Sequence, residues 1–262
     1  MELKRPLKHR LKHSVRTSVD LTARAVFSFN KKLPTYYSGH WIWLSRTCWP
    51  ALYSRYEAYL IRSIQANLSS GDVFWDVGAN IGVFSLIAAK IVGPNGGVFS
   101  FEPSPEVFLA LQSNTIGDNS IKIFPYGIGN ADGSASFAAQ RMSAGSSFTE
   151  EVTELNRHYH PGEAIRQVSV TIKKLDTLLS DLRPPSLVKI DVEGFELEVL
   201  KGSGRLLSDI RPTLIIEIHP PQLLLSGGSE ELLFETLENH HYRRSIIDRN
   251  PNSLFTIIAT PW

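Results

Sequence analysis

Residues Phe74-Trp75-Asp76-Val77-Gly78-Ala79-Asn80-Ile81-Gly82-Val83-Phe84 constrain the fold more than any other part of the chain. Val73, Phe74, Trp75 and Val77 form a β-prone apolar run, interrupted by Asp76 just before a glycine turn. Ser85-Leu86-Ile87-Ala88-Ala89-Lys90 then continues with helical composition. The pattern predicts a buried strand, a tight turn and a helix whose first N–H groups face the turn, an arrangement suited to the charged end of a small ligand. A carboxylate at Asp76 is costly to bury unless it meets a donor or a cation. Close packing in an α/β fold can also call for a Gly-x-x-x-Gly turn, so the turn alone does not define a ligand.

A second acidic residue narrows the reading. The apolar run Gly97-Val98-Phe99-Ser100-Phe101 ends at Glu102, 26 residues after Asp76, and Pro103 cannot continue a central strand. In an open parallel sheet, ligands bind beyond the carboxyl ends of the strands, where a carboxylate suits the two hydroxyls of a ribose. A solvated loop charge is the plainer alternative. The dinucleotide fingerprint Gly-x-Gly-x-x-Gly is not matched, because Asn80 stands at its second glycine. That disfavours NAD and leaves another adenosine-bearing cofactor.

The remaining periodicity predicts alternating helices and strands and hence a parallel sheet. Helices are expected at 54–68, 82–92 and 105–116, with strands at 73–77, 97–102 and 121–126. Ser104-Pro105 makes a reasonable helix start. Alternating apolar residues from Gly133 to Ala139 and from Val168 to Ile172, with Gly145-Ser146-Ser147 between them, predict an inserted hairpin. The second half resumes with strand 187–191, helix 195–207, a strand from Thr213 to Ile218 and helix 229–239. A closing antiparallel pair at 243–248 and 253–259 is joined by Arg249-Asn250-Pro251-Asn252.

Asp191 and Glu193 fall at the carboxyl end of the fourth strand of this scheme, on the same edge as Asp76 and Glu102. Glu217 and His219 end the neighbouring strand before Pro220-Pro221. Asp191, Glu193 or His219 could accept a proton, and Asp191 with Glu217 could instead hold a magnesium ion through oxygen ligands. Glu193 and Glu196 also fit a charge cluster at a helix start, and His219 a hydrogen-bonded strand end. Lys189 either reaches the site or pairs with an acid.

Asp76-Val77-Gly78-Ala79-Asn80-Ile81-Gly82, Phe101-Glu102-Pro103 and Lys189-Ile190-Asp191-Val192-Glu193-Gly194-Phe195-Glu196, in this order, resemble the FkbM family of S-adenosylmethionine-dependent methyltransferases. The resemblance covers residues 54 to 219, extends toward Trp262 and does not reach the first fifty residues. It implies an α/β, Rossmann-like methyltransferase fold: a mostly parallel seven-stranded sheet with helices on both faces and a C-terminal antiparallel strand. It also implies S-adenosylmethionine bound near Asp76, Gly78, Asn80, Gly82, Glu102, Pro103 and Gly127, with the acceptor near Asp191, Glu193 and His219. The expected activity is O-methylation of a hydroxyl on a sugar, glycan or related natural product. A non-catalytic cofactor-binding scaffold and a nucleic-acid methyltransferase are the alternatives. The second is weakened because Asp191-Val192-Glu193-Gly194 stands where an Asn/Asp-Pro-Pro-aromatic segment would clamp a base.

Charge divides the chain. Residues 1–32 hold nine Lys/Arg against Glu2 and Asp20, a local +7 hidden within a formal net +1. This arm suits a membrane surface, a polynucleotide, organelle targeting or a solvated tail. Tyr36, Tyr37, Trp41, Trp43, Trp49, Tyr53, Tyr56 and Tyr59 follow it. They are expected to pack a lid against the sheet, with a sugar-stacking platform as the alternative. The chain therefore divides into a basic, aromatic extension over 1–53 and a methyltransferase domain over 54–262. Cys48 is the single cysteine, which excludes an internal disulfide and a cysteine zinc site. With no apolar run of about 18 residues and no secretion-type start, a soluble cytoplasmic protein is expected, peripheral to a membrane if the arm docks there.

Overall fold

The computed structural model describes residues 32–37, 40–45, 57–140, 165–249 and 254–262. A hairpin of β1 (Lys32–Tyr37) and β2 (His40–Ser45) precedes α1 (Glu57–Asn67). There follow β3 (Val73–Val77), α2 (Val83–Val92), β4 (Gly97–Phe101), α3 (Pro105–Thr115) and β5 (Ile121–Phe124). Next come β6 (Tyr126–Ile128), β7 (Gly133–Gln140), β8 (Ile165–Lys173), α4 (Leu175–Leu178), β9 (Leu187–Ile190) and α5 (Glu196–Lys201). A π-helical turn (Leu206–Ile210), β10 (Thr213–Ile218), α6 (Pro220–Leu225), α7 (Glu230–Asn239), β11 (Tyr242–Arg249) and β12 (Phe255–Pro261) complete the chain.

Seven strands form one sheet in the order β11-β12-β10-β9-β3-β4-β5. Neighbours from β10 to β5 are parallel, whereas β12 runs against both β10 and β11. This is the Rossmann-like methyltransferase sheet expected from the sequence. β3, β4 and β9 are buried along their whole length, as strands covered on both faces must be. Trp75, Val77, Phe101, Val188, Ile190, Leu214 and Ile216 turn to one face and meet Leu197, Val199 and Leu200 of α5 and Leu233 and Leu237 of α7. Phe74, Val98, Leu187 and Ile215 turn to the other and meet α1 and α2.

The insert differs from expectation. The strand predicted over 121–126 is cut at Pro125, which has no N–H to give a ladder. β5 ends before it and β6 begins after it, in a separate sheet ordered β6-β8-β7. The predicted hairpin is therefore two strands of a three-stranded sheet, and Gly145–Ser147 lie outside the described residues. The helix expected over 195–207 stops at Lys201. Gly202 follows it and packs so closely that a Cβ there would lie 2.0 Å from the Gly129 carbonyl oxygen. Residues 54–56 of the first predicted helix, residues 1–31 and the Asn250–Asn252 turn are outside the described residues.

Strand alternation sorts the hairpin side chains. Ile42 and Leu44 join the cluster of α1 and α2, a burial that contributes about 1.5–3 kcal/mol each. Tyr36, Trp41 and Trp43 lie on the other face, 62%, 58% and 56% exposed. The expectation that these three aromatics pack a lid is corrected: neighbouring aliphatics do so. Trp49, Tyr53 and Tyr56 are outside the described residues. Among the described residues, no helix is long and apolar enough to cross a membrane.

Candidate active site at the carboxyl ends of the central strands

The turn after β3 is shaped by backbone hydrogen bonds and left-handed residues. Gly78 and Ala79 both donate their N–H to the Phe101 carbonyl, at 3.0 Å each. Gly78, Asn80 and Gly82 have φ of 75°, 51° and 88°. Asn80 thus takes the conformation a glycine would take in the dinucleotide fingerprint, and asparagine is among the few residues that tolerate it. Its Oδ1 accepts from Ile81 N at 2.8 Å. At Gly78 a Cβ would lie 1.8 Å from the Asp191 carbonyl oxygen, so glycine is required there to let the end of β9 approach. At Gly82 a Cβ would lie 2.6 Å from Leu111 Cδ1.

Glu102 closes the turn. Its Oε2 accepts from Asn80 N at 3.0 Å and its Oε1 from Ser104 N at 2.9 Å. Burial raises its pKa to about 7, against the opposing pull of these N–H groups and of Lys189. Each oxygen keeps a lone pair beyond its backbone bond, so the carboxylate can still accept from vicinal hydroxyls. Ser104 precedes α3 as expected, but its side chain does not cap the helix. Pro103 follows Glu102 directly and is partly buried. Gly127 sits in β6, paired with Ile172 in the second sheet.

Asp76, expected beside the cofactor, has a side chain with no exposure and lies beneath the turn. Its Oδ2 accepts from Ser85 Oγ at 2.6 Å, and Ser85 Oγ lies 2.8 Å from Ser100 Oγ. The cation that offsets its burial is Lys189, 3.3 Å from Oδ1. Lys189 also donates to the Gly78 carbonyl at 2.9 Å and lies 3.3 Å from Asp191 Oδ2. Burial opposes its charge, but Asp191, Asp76 and Glu217 outweigh that and raise its pKa. One buried ammonium therefore ties the glycine turn to the acidic cluster.

Asp191, Glu193 and His219 come together as predicted. His219 Nε2 lies 3.6 Å from Glu193 Oε2 and 3.9 Å from Asp191 Oδ1. Its Nδ1 lies 2.8 Å from Glu196 Oε1, which also accepts from Gly194 N at 2.9 Å. Burial works against charging the imidazole, but Glu193 and Glu196 raise its pKa well above the usual value. Glu193 rises to about 8, chiefly through burial, with His219 opposing and Asp191, Glu217 and Glu196 reinforcing. Glu193 is also a non-glycine residue in the left-handed region, at φ 53°, a conformation that costs about 1–2 kcal/mol. Such strain is commonly held at functional positions.

The pairing of Asp191 with Glu217 around a magnesium ion stays a proposal, beside a second candidate group that the structure brings together. Among the described residues, the group with ligand atoms within 4.8 Å of one another is Asp191, Glu193 and His219, without Glu217. Neighbouring carboxylates raise the pKa of His219, so a metal at Nε2 would have to displace a proton.

Sequence reasoning missed the orienting role of Glu196, and it set as alternatives the two things Lys189 does at once, reaching the site and pairing with acids. A signal for the first was present: Glu196, Val199, Leu200 and Ser203 share one helix-spaced face and are all buried. A carboxylate at the head of such a face needs a partner, and His219 supplies it.

Methyltransferase FkbM domain sequences match residues 76–244. The chain is 33% identical over 170 residues to hexuronic acid methyltransferase AglP of Haloferax volcanii, covering 63% of each. It thus spans less than two thirds of that relative's length. It is 43% identical over 60 residues to 31-O-demethyl-FK506 methyltransferase FkbM of Streptomyces tacrolimicus, covering 23% of this chain and 22% of that one. The crystal structure of methyltransferase FkbM from Methylobacillus flagellatus KT superimposes with a TM-score of 0.53 at 19% identity, over 82% of this chain and 51% of that one. The family match takes in well over half of the residues and includes the glycine turn, Glu102, the Lys189–Glu196 segment and His219, and the chain belongs to the FkbM methyltransferase family.

Proposed function

We propose that the chain transfers a methyl group from S-adenosylmethionine to a hydroxyl oxygen of a sugar, with a uronic acid or glycan as the acceptor class. The observation that carries the reading is the Lys189 bridge. The same ammonium holds the Gly78 carbonyl of the turn and the Asp191 carboxylate of the acidic cluster. A ligand on the turn and an acceptor at the cluster would therefore share one wall. The hexuronic acid named for the Haloferax relative supports the acceptor class, and the 31-O-demethyl substrate named for the Streptomyces relative supports oxygen as the methylated atom.

The turn residues fit the cofactor. Glu102 is a buried carboxylate with lone pairs to spare beside the helix start of α2, the arrangement a ribose and its flanking groups require. When bound, S-adenosylmethionine supplies an electrophilic methyl, and the new O–C bond forms as the S–C bond breaks. The protein aligns the acceptor oxygen and removes its proton. Glu193 takes that proton at Oε2, because a carboxylate pushed to about 8 is a stronger base than an ordinary one. His219, oriented by Glu196, faces Glu193 and Asp191 across 3.6 and 3.9 Å, and its raised pKa lets its charge hold the carboxylates in place. Asp191, fixed by Lys189, positions the acceptor hydroxyl.

The test is methyl transfer to a panel of uronic acids, neutral sugars and macrolide hydroxyls, with and without EDTA. Transfer to a uronic acid hydroxyl that EDTA leaves unchanged supports the reading. Transfer to a nitrogen or carbon atom, or activity lost with EDTA and restored by magnesium, overturns the assignment of atom or of proton acceptor respectively.

A further inference from the structure

The outer face of the β1–β2 hairpin has no part in the site. Pro34 pairs with Trp43 and Tyr36 with Trp41 across the strands, which sets all four side chains on one face. All four are exposed, and the rings of Tyr36 and Trp41 lie 5.3 Å apart. The opposite face is locked into the core by Ile42 and Leu44. Two exposed tryptophans and a tyrosine on a two-stranded ribbon are costly to leave in water, and their amphipathic rings suit the headgroup layer of a bilayer.

The Trp41 end of the hairpin lies away from the reacting groups. Lys90, in the last turn of α2, donates to the Trp41 carbonyl. The glycine turn lies at the other end of that helix, about 10 Å away at 1.5 Å per residue. Lys90 also lines a cavity of about 490 Å³ at the amino ends of β4 and β5, together with Lys122, Arg183 and Asp118. Lys90, Lys122 and Arg183 are all exposed. Arg183 is held by the neutral carbonyls of Asn95, Gly96 and Gly71, so its charge is directed without being cancelled. Among the described residues, Asp118 is the one acid in this lining, and it accepts from Ser120. The sequence adds charge of the same sign directly ahead of the hairpin, with nine Lys/Arg against two acids over residues 1–32.

We infer that the hairpin is an interfacial anchor that seats the protein on an anionic bilayer. Pro34, Tyr36, Trp41 and Trp43 enter the headgroup layer, while Lys90, Lys122 and Arg183 meet lipid phosphates. Aromatic insertion and basic charge act together here, since either signal alone gives marginal, reversible attachment. The basic cavity lies at the amino ends of β4 and β5, the end of the sheet opposite the acidic cluster. This inference does not depend on which hydroxyl is methylated.

Cosedimentation of the full chain with vesicles tests it. Vesicles of phosphatidylcholine with about one third phosphatidylglycerol are expected to bind the protein at low salt and pure phosphatidylcholine much less, with binding falling as salt screens the charge. The variant Trp41→Ser/Trp43→Ser should lose about tenfold or more in vesicle affinity, and Lys122→Gln/Arg183→Gln should lose most of the preference for phosphatidylglycerol. Affinity for S-adenosylhomocysteine should stay unchanged in both, which also checks folding. Acyl-brominated lipid should quench the tryptophan emission of the unsubstituted protein, an arm that needs no variant. Two results would overturn the inference: no binding to anionic vesicles, or full binding by the tryptophan variant, and loss by that same variant of retention of a soluble glucuronic acid oligosaccharide would make the face a sugar platform.

Discussion

The glycine turn and the acid–imidazole cluster lie side by side but are built in opposite ways. The turn is fixed by main-chain hydrogen bonds to Phe101 and by residues held at positive φ, so its shape is a property of the backbone. The cluster is fixed by pairs of charged side chains, Lys189, Glu196 and His219 buried and Asp191 and Glu193 half-buried, from β9, α5 and the ends of β9 and β10. The first should be indifferent to charge state except at Glu102, whereas the second should answer to every change in proton occupancy. A preorganised cradle beside a titrating cluster is the division that holding one molecule and deprotonating another calls for.

Glu193→Gln should separate the two regions most sharply. It keeps the shape but removes the proton acceptor, so turnover is expected to fall by about 10²–10⁴ while cofactor affinity stays nearly intact. Parallel loss of cofactor affinity, measured by titration calorimetry, would break the distinction. Gly78→Val should instead damage both regions at once. Its Cβ would strike the Asp191 carbonyl as well as strain a residue at φ 75°. The expected loss of stability is about 3 kcal/mol or more, read as a fall in denaturation midpoint. Unchanged stability would mean that β9 yields easily and that the turn and the cluster are not coupled.

Glu102→Ala comes next in size. Cofactor affinity should fall by about 1–3 kcal/mol, the range for leaving hydrogen-bonding partners unmatched, with the fold retained. An unchanged dissociation constant would remove Glu102 from the cofactor's contacts.

The smallest effect is on stability against pH. Glu102 and Glu193 have folded pKa values near 7 and 8, above their unfolded values. The folded protein therefore binds more protons between about pH 4.5 and 8, and His219 acts in the same sense. The stabilisation is full below about pH 4.5 and is lost as pH rises through 7 to 8. The melting temperature at pH 8.5 should lie below that at pH 5.5 by at least about 2–4 °C, the shift that about 1 kcal/mol gives in a domain of this size. Glu193→Gln should flatten the slope, because glutamine has no proton to lose.

The contrast between the two regions also explains what the sequence could reveal. Elements set by local pattern were legible: the buried β3, the start of α2, the strand end at Glu102 and the closing antiparallel pair. Asp191, Glu193 and His219 were legible as strand-end residues because a parallel sheet gathers such ends on one edge. The burial of Asp76 under the turn was not, because it depends on Lys189 arriving from a strand more than one hundred residues away. Nor was the reason for Gly78, which answers to the backbone of Asp191. The break at Pro125 was readable from proline chemistry, but the destination of β6 rests on its non-local pairing with β8.

The most direct test of the central claim is the pH dependence of kcat/KM for methyl transfer to a uronic acid hydroxyl, with Glu193→Gln measured alongside. The account predicts a rate that climbs through about pH 8 as Glu193 ionises, and a Glu193→Gln variant with at most a residual rate that lacks this limb. A Glu193→Gln variant that retains the wild-type rate and profile would contradict it.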